Sequence, residues 1–273
     1  FARSRGWEWG KLFGALFHSR RLLAEADAIL TCNAKEASLL KTRYPARRIL
    51  VQPHGVPVRQ YETDHREAAR QAFPQIVGKQ LLLCVGRIDP VKNQGWLIER
   101  APAIFLKHPE AILVLAGACT DEPYGKALEN QIARLGLEQQ VILTGGLPPG
   151  DPRLIGLLQE SRVVLLPSIS ETFGLVILEA WAAGSSVISS RTSGANALIQ
   201  HRQNGWIFNL ESPKKFHDAL DEALLQPGLA EQFAAAGKNI VVTKYDTHLL
   251  AGRMKDLYQE LIDEKNALRN LAR

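Results

Sequence analysis

The sequence predicts an α/β protein built on a doubly wound parallel sheet. Six short apolar runs recur along the chain, and each is nearly continuous rather than alternating, which is typical of strands covered on both faces. Helical stretches separate the runs at intervals of roughly 20–30 residues, as in repeated βαβ units. The runs are LLLCVG (81–86), AILVLAG (111–117), VILTG (141–145), RVVLLP (162–167), SVISS (186–190) and WIFN (206–209).

Ahead of this sheet, ADAILTC and RRILVQPHGV predict two further strands that flank the helix AKEASLLKTRY. The segment PHGVPVRQYETDHRE then turns polar and carries two prolines, so we interpret it as a linker between two domains. The last stretch, THLLAGRMKDLYQELIDEKNALRNLAR, predicts a long amphipathic helix. Its apolar stripe comprises Leu249, Leu250, Met254, Leu257 and Leu261.

Composition and charge fit one large soluble domain, or one domain with part of another. The chain has 273 residues, of which 46% are apolar and 22% are charged. No apolar run approaches the ~20 residues that a transmembrane helix needs. The net charge is +5, but no basic run or basic–aromatic repeat indicates nucleic-acid binding. The charge leaves a membrane surface and a phosphorylated small molecule open as partners.

The start of the chain and its cysteines indicate a cytosolic protein. FARSRGWEWGKLFGALFHSRR has no initiator methionine and no cleavage-type end, so we expect no secretory signal, and a first residue of Phe indicates a fragment of a longer chain. Cys32, Cys84 and Cys119 lie far apart, each near an apolar run, without metal-ligand spacing. We expect three buried, reduced thiols.

The stretch ETFGLVILEA (171–180) places a carboxylate, Glu179, inside an apolar helix. We expect this helix to begin near Thr172, whose side chain can cap it, and to be buried because it is apolar all round. A buried carboxylate needs partners, or it costs several kcal/mol. Either the vicinal hydroxyls of a ribose or a cation such as Arg191 would satisfy Glu179.

The loop before this helix has features of a phosphate site. Free backbone N–H groups at a helix N-terminus suit phosphate, and Gly174 lets a ligand approach because it has no Cβ. Glu171 lies on the ligand side of the predicted sheet. Taken alone, Glu171 fits equally well as a charge near a helix N-terminus, a placement worth about 0.3–1 kcal/mol.

Three further loops follow predicted strands. In VGRIDPVKN (85–93), Arg87 and Lys92 can face one diphosphate, although two solvated loop cations are the alternative. In TGGLPPGD (144–151), two glycines permit close approach by a flat ligand such as a nucleobase, although Gly-Gly and Pro-Pro also simply make turns. TSGANAL (192–198) is a glycine loop that runs into a helix.

Taken together, GR-x4-K, S-x-x-E-T-F-G-L-x-x-x-E-A-x-A-x-G and S-x-x-S-G-A resemble the retaining glycosyltransferases of family 4, which have the GT-B fold. The resemblance covers residues 81–209 and implies a Rossmann-like C-terminal domain with a remnant of the N-terminal one. It implies that residues 1–57 end the acceptor-side domain, 58–245 bind the donor and 246–273 cross back. SSV at 185–187 departs from the family's small-Pro-Val, and most of the acceptor domain has no counterpart here.

The resemblance also implies roles for individual residues. Arg87, Lys92 and Glu171 would be catalytic, the two cations on the donor diphosphate and Glu171 on the hydroxyls of the transferred sugar. Backbone after Gly174 would hold phosphate, and Glu179 would hold the ribose. The donor-binding residues would be Gly86, Arg87, Lys92, Gly146, Leu147, Glu171, Phe173, Gly174, Leu175, Val176 and Glu179.

The implied activity is hexosyl transfer from a nucleoside-diphosphate sugar to a carbohydrate or other small acceptor, with retention and with neither metal nor cofactor. The protein would be cytoplasmic, with the inner membrane surface as a further place, and this chain alone would be inactive. The alternatives are another GT-B enzyme, such as a sugar-nucleotide epimerase, or a module that binds a nucleotide sugar without catalysis. A NAD-binding domain is disfavoured, because no G-x-G-x-x-G follows the first strand.

Overall fold

The computed structural model describes residues 19–271, so the expectation about a secretory signal concerns a segment that lies mostly outside the described residues. The described chain divides into two units. Residues 19–53 and 251–271 belong to the smaller unit, and His54–Leu250 forms the larger one. None of the helices within residues 19–271 combines the length and the hydropathy that crossing a bilayer would need.

The smaller unit contains a βαβ arrangement that follows a short helix. Its elements are α1 (Ser19–Glu25), β1 (Ile29–Thr31), α2 (Ala34–Arg43) and β2 (Ile49–Val51). The two strands pair in parallel, and the buried residues Ile29, Ala37 and Ile49 form a small core with them. The predicted pair of strands flanking a helix is confirmed. Within the same unit, Arg48 forms ion pairs with Glu260 and Glu264, at 2.6 and 3.2 Å.

The larger unit alternates strands and helices. Its strands are β3 (Gln80–Val85), β4 (Ala111–Ala116), β5 (Val141–Leu143), β6 (Val163–Leu166), β7 (Ser186–Ser190) and β8 (Trp206–Phe208). Its helices are α3 (Arg66–Ala72), α4 (Gln94–Lys107), α5 (Glu122–Arg134), α6 (Pro152–Glu160), α7 (Leu175–Ala183), α8 (Ser193–Leu198), α9 (Pro213–Leu225) and α10 (Pro227–Ile240). The final helix, α11 (Thr247–Leu271), begins in this unit, and the long helix predicted for this stretch is confirmed.

The six strands form one parallel sheet in the order β5-β4-β3-β6-β7-β8. Each strand coincides to within two residues with a predicted apolar run, and the doubly wound parallel sheet is confirmed. Because β3 pairs with β4 on one side and with β6 on the other, the order of the chain reverses beside β3. In such sheets, ligands bind beyond the carboxyl ends of the strands at this reversal. The loops after β3 and β6 both leave the sheet there.

The segment interpreted as a linker is instead part of the larger unit. Val56, Val58 and Tyr61 are buried, and the backbone N–H of Val56 donates to the carbonyl of Tyr245 at 2.9 Å. Gly55 makes this contact sterically possible, because a Cβ there would lie 2.5 Å from the same carbonyl oxygen. Although the segment is polar in composition, the apolar side chains of Val56, Val58 and Tyr61 pack into the domain.

The start of α7 also differs from the prediction. The helix begins at Leu175, and its N-cap is Gly174, which makes no side-chain bond and has φ of +92°. Thr172 precedes this turn and does not cap the helix. The left-handed conformation of Gly174 directs the chain into the helix, and glycine adopts it without the usual penalty of a side chain.

Exposure corrects two smaller predictions. Cys84 is buried as predicted, whereas Cys32 is half-buried and Cys119 is exposed in the loop after β4. In α11, Leu250 is buried, but Leu249 is exposed, so it lies outside the apolar stripe predicted for that helix. The remaining stripe residues, Met254, Leu257 and Leu261, are half-buried.

The close packing of α10 on α7 gives the first testable prediction. A Cβ at Gly237 would lie 2.4 Å from the ring of fully buried Trp181, whereas a Cβ at Gly228 of the same helix would meet nothing within 4 Å. Gly237→Ala should therefore lower the free energy of unfolding by about 1–3 kcal/mol through overpacking.

The matched control, Gly228→Ala, should be neutral or stabilise the protein by about 0.4–1 kcal/mol, because alanine restricts the unfolded chain. Urea unfolding of both variants measures the difference. Equal stabilities for the two variants would contradict the packing seen between α7 and α10.

Candidate functional site

The loop after β3 is organised by Asp89, a residue that the sequence analysis missed. One oxygen of this buried carboxylate, Oδ1, accepts the backbone N–H groups of Val91 and Lys92, at 3.0 and 2.9 Å. The other, Oδ2, lies 3.1 Å from Nη2 of Arg87. Asp89 therefore holds both predicted cations, Arg87 by its side chain and Lys92 by its backbone. The sequence feature that could have identified Asp89 is its place between the basic residues Arg87 and Lys92.

Two predicted site residues from distant parts of the chain meet in an ion pair. Nζ of Lys92 lies 2.5 Å from Oε2 of Glu171, and both side chains are largely shielded from solvent. Their loops are joined further by the N–H of Ile169, which donates to the carbonyl of Val91 at 2.8 Å. Asn93, with φ of +60°, donates its side-chain amide to the carbonyl of Pro167. The loops after β3 and β6 thus form one surface.

Gly86 allows the lysine to reach this position. A Cβ at Gly86 would lie 3.4 Å from Cδ and Cε of Lys92, so the lysine stem runs along the bare glycine backbone. Gly117, which the sequence analysis did not single out, lets β4 approach from the other side. A Cβ there would lie 2.0 Å from the carbonyl oxygen of Gly86. Gly117 is the last residue of the second predicted apolar run, and this place in the sequence is the one feature that could have identified it.

The TSGANAL segment supports the loop that carries Glu171. The backbone N–H of Gly194 and the hydroxyl of Ser193 both donate to the carbonyl of Glu171, at 2.8 and 3.0 Å. A Cβ at Gly194 would lie within 3 Å of the Phe173 backbone. Phe173 itself is buried, with its ring edge-on to that of His54 at 5.1 Å. The position of Glu171 therefore depends on the glycine loop after β7.

The first turn of α7 offers unpaired donors beside this loop. The backbone N–H groups of Leu175 and Val176 have no carbonyl one turn earlier in the helix to bond. Gly174 brings these groups to the carboxyl edge of the sheet, and a helix N-terminus favours negative charge. The arrangement suits the oxygens of a phosphate group.

Glu179 lies one turn further along α7 and is half-buried, and its carboxylate has no hydrogen bond or ion pair with any residue in 19–271. The alternative partner, Arg191, instead donates to the side-chain oxygens of Asn209 and Asn196, at 3.0 and 3.3 Å. Burial raises the pKa of Glu179. Tyr61 lies close enough for the Glu179 charge to add to the effect of burial in raising the pKa of its phenol. Tyr61 was missed because it lies in the segment interpreted as a linker.

Glu179 opens onto a cavity of about 470 Å³ beyond the carboxyl ends of β3, β4 and β5. The cavity brings together five of the predicted donor-binding residues, Gly86, Arg87, Gly146, Leu147 and Glu179. Its other lining residues are Val85, Ala116, Gly117, Ala118, Pro148, Pro149 and Leu154. The remaining predicted residues, Lys92, Glu171, Phe173, Gly174, Leu175 and Val176, do not line it. They form the adjoining surface described above.

Comparison with known proteins bears on the family and the fold of the chain. The model of the family described as Glycosyl transferases group 1 matches residues 65–240. The D-inositol 3-phosphate glycosyltransferase of Nocardia farcinica is 31% identical over 214 residues, which are 75% of this chain and 46% of that protein. The chain spans about half the length of the curated relatives that it matches.

Solved structures share the fold. Anabaena Alr3699/HepE, crystallised with UDP and glucose, matches with a TM-score of 0.76 and 21% identity over 88% of this chain and 65% of that one. The C-terminal domain of a glycosyl transferase group 1 family protein from Francisella tularensis matches with a TM-score of 0.60 and 25% identity. That match covers 71% of this chain and all of the Francisella domain. The predicted fold class is confirmed by these glycosyltransferase neighbours.

The unpartnered carboxylate gives the second testable prediction. Burial raises the pKa of Glu179, so the folded protein keeps its proton at pH values where the unfolded chain has released it. Stability should therefore fall as the pH rises from the usual glutamate pKa through the raised one. Glu179→Gln should remove this fall and leave the variant at least as stable as the wild type near neutral pH.

Urea unfolding between about pH 4 and pH 8 measures this difference. The same substitution at Glu138, an exposed residue after α5, controls for the loss of one negative charge. The burial argument fails if Glu179→Gln is clearly less stable than the wild type at neutral pH, which would indicate a protein partner for Glu179.

Proposed function

Since the chain belongs to the family described as Glycosyl transferases group 1, we propose that His54–Leu250 is the donor-binding domain of a retaining family 4 glycosyltransferase. The enzyme would transfer a hexose from a nucleoside-diphosphate sugar to a small acceptor such as a carbohydrate. The observation that carries this proposal is the cavity holding unpartnered Glu179 beside the two cations after β3. The activity is proposed for the whole protein, because this chain spans only about half the length of the curated relatives that it matches.

The diphosphate would lie between the loop after β3 and the start of α7. Arg87 keeps most of its side chain exposed while Asp89 holds one of its nitrogens, so its remaining donors can reach a phosphate. Lys92 would approach from the side of Glu171, and the N–H groups of Leu175 and Val176 would supply neutral donors. Hydrogen-bond donors that are already in position when the reaction begins stabilise the charge that develops on the leaving diphosphate, often by about 3–4 kcal/mol per group.

The nucleoside would occupy the cavity. Glu179 would accept hydrogen bonds from the two ribose hydroxyls, which would explain a half-buried carboxylate without a protein partner. The base would contact the backbone at Gly146 and Leu147, where Gly146 lies close to Ala118. We propose a uridine nucleotide as the first donor to test, because the Anabaena neighbour was crystallised with UDP and glucose.

Glu171 would bind the hydroxyls of the transferred sugar. Its ion pair with Lys92 holds the carboxylate next to the proposed diphosphate position, where the sugar is attached. We propose that neither metal nor cofactor takes part, because Arg87, Lys92 and helix N–H groups supply the positive charge that a divalent cation would otherwise provide. Nucleotide affinity that is unchanged by a chelator would support this part of the proposal.

The third testable prediction concerns the two cations. Arg87→Ala and Lys92→Ala should each weaken UDP binding by about 1.5–3 kcal/mol, the range for hydrogen bonds to charged groups, and leave uridine binding nearly unchanged. Calorimetric titration measures both affinities, with ADP and GDP as alternative probes. Lys79→Ala is the matched control, because Lys79 lies just before β3, at the end of the strand opposite to the loop of Arg87 and Lys92. Equal losses for nucleoside and diphosphate would refute the phosphate assignment.

The fourth testable prediction separates a ribose contact from a structural role for Glu179. Glu179→Gln should weaken binding of the nucleoside diphosphate by about 1.5–3 kcal/mol. The 2′-deoxy nucleotide should bind the wild type less well, yet lose little further affinity in the variant, because the two changes remove the same contact. Additive losses in this cycle would place the ribose elsewhere.

A further inference from the structure

A second cavity, of about 450 Å³, lies along the edge strand β8. It shares no lining residue with the cavity that contains Glu179. Its walls come from the residue after β7, from β8, from the turn after α8, and from one face of α9. The polar and charged side chains that line it are Arg191, His201, Arg202, Asn209, Ser212, Lys215, Asp218 and Glu222. The size is within the range of small-molecule sites, about 300–1,000 Å³.

Three positively charged side chains lie near His201 in this cavity. Burial lowers the pKa of His201, and the charges of Arg202, Arg191 and Lys215 lower it further, against one acidic neighbour, Glu222. Nδ1 of His201 accepts the backbone N–H of Ile207 at 3.0 Å. The neutral ring therefore carries its proton on Nε2, which makes that nitrogen a hydrogen-bond donor.

The acid that faces these cations is already engaged. Glu222 pairs with Arg202 and also accepts the indole N–H of Trp206 at 2.9 Å. Arg202 adopts a left-handed backbone conformation, with φ of +62°, which is uncommon for a residue other than glycine. This pair leaves Glu222 little capacity to neutralise other cations.

Two cations remain without an acidic partner among the described residues. Arg191 is oriented by the side-chain oxygens of Asn209 and Asn196, which fix the guanidinium without neutralising it. The side chain of Lys215 makes no hydrogen bond or ion pair within residues 19–271. The carboxylate of Asp218 is the one acid in the cavity walls that is not engaged by an ion pair.

We propose that this cavity binds a small phosphorylated sugar. Arg191 and Lys215 would contact the phosphate, because two cations and the Nε2–H of His201 supply charge-assisted donors to one anion. Asp218 and the free amide of Asn209 would bind sugar hydroxyls, which need acceptors as well as donors. A site of cations alone would fit free phosphate equally well. The carboxylate of Asp218 is the feature that favours a ligand with hydroxyl groups.

Calorimetric titration of the full chain with glucose 6-phosphate, glucose and inorganic phosphate tests the proposal. Saturable binding of glucose 6-phosphate is expected at about 1 mM or tighter. Arg191→Gln and Lys215→Gln should each weaken it by about tenfold, as expected for loss of a hydrogen bond to a charged group. Lys126→Gln is the matched control, because Lys126 is an exposed lysine on α5 that lines neither cavity.

The outcomes distinguish this cavity from the donor site and from adventitious charge. Binding that is lost in Arg87→Ala but kept in Lys215→Gln would assign the ligand to the donor cavity and overturn the proposal. Equal affinity for inorganic phosphate and glucose 6-phosphate would overturn the sugar part, and absence of saturable binding would overturn the whole. Loss in Arg191→Gln and Lys215→Gln, with Arg87→Ala and Lys126→Gln unaffected, would support it.

Discussion

The parallel pairing of β3 with β6 is the constraint on which the candidate site depends. The two strands are neighbours in the sheet although about 80 residues separate them in sequence. Their loops leave the same edge, so Lys92 and Glu171 come within 2.5 Å, and Asn93 reaches the carbonyl of Pro167. A register shift in this pairing would separate the proposed phosphate and sugar contacts, because they lie on different loops.

Charged groups at this edge differ in how well the protein satisfies them. Asp89 is buried, yet it accepts two backbone N–H groups and contacts Arg87, so its charge is compensated within the loop. Glu179 is half-buried beside apolar residues of α7, and its carboxylate has no hydrogen bond or ion pair in residues 19–271. Carboxylates in such surroundings cost free energy unless something else binds them. The protein itself satisfies Asp89 but not Glu179, and this contrast motivates the ribose contact proposed for Glu179.

The cavity that contains Glu179 and the cavity along β8 are suited to different chemistry. The one beyond β3, β4 and β5 has apolar side chains and glycine backbone around a single carboxylate, which suits a flat base and a ribose. The one along β8 is lined by side chains of both signs and by amides, which suits a ligand with a phosphate and hydroxyls. The segment after β7 contributes Arg191 to the second cavity, and its Ser193 and Gly194 support the loop of Glu171, which does not line the first cavity.

The strands and the order of the elements follow from the sequence alone, because continuous apolar runs are local patterns. The burial predicted for α7 is confirmed only in part, since Ile177, Leu178 and Trp181 are buried, whereas Leu175 is exposed and Glu179 is half-buried. The sequence also identified Arg87, Lys92 and Glu171 as charged residues in loops after strands. The pairing of Lys92 with Glu171 comes from the tertiary fold, because that contact follows from strand order, which no local pattern encodes. The same holds for the packed segment around Tyr61 and for the start of α7 at Leu175, where contacts between distant residues and the left-handed turn of Gly174 outweigh local composition and capping preference.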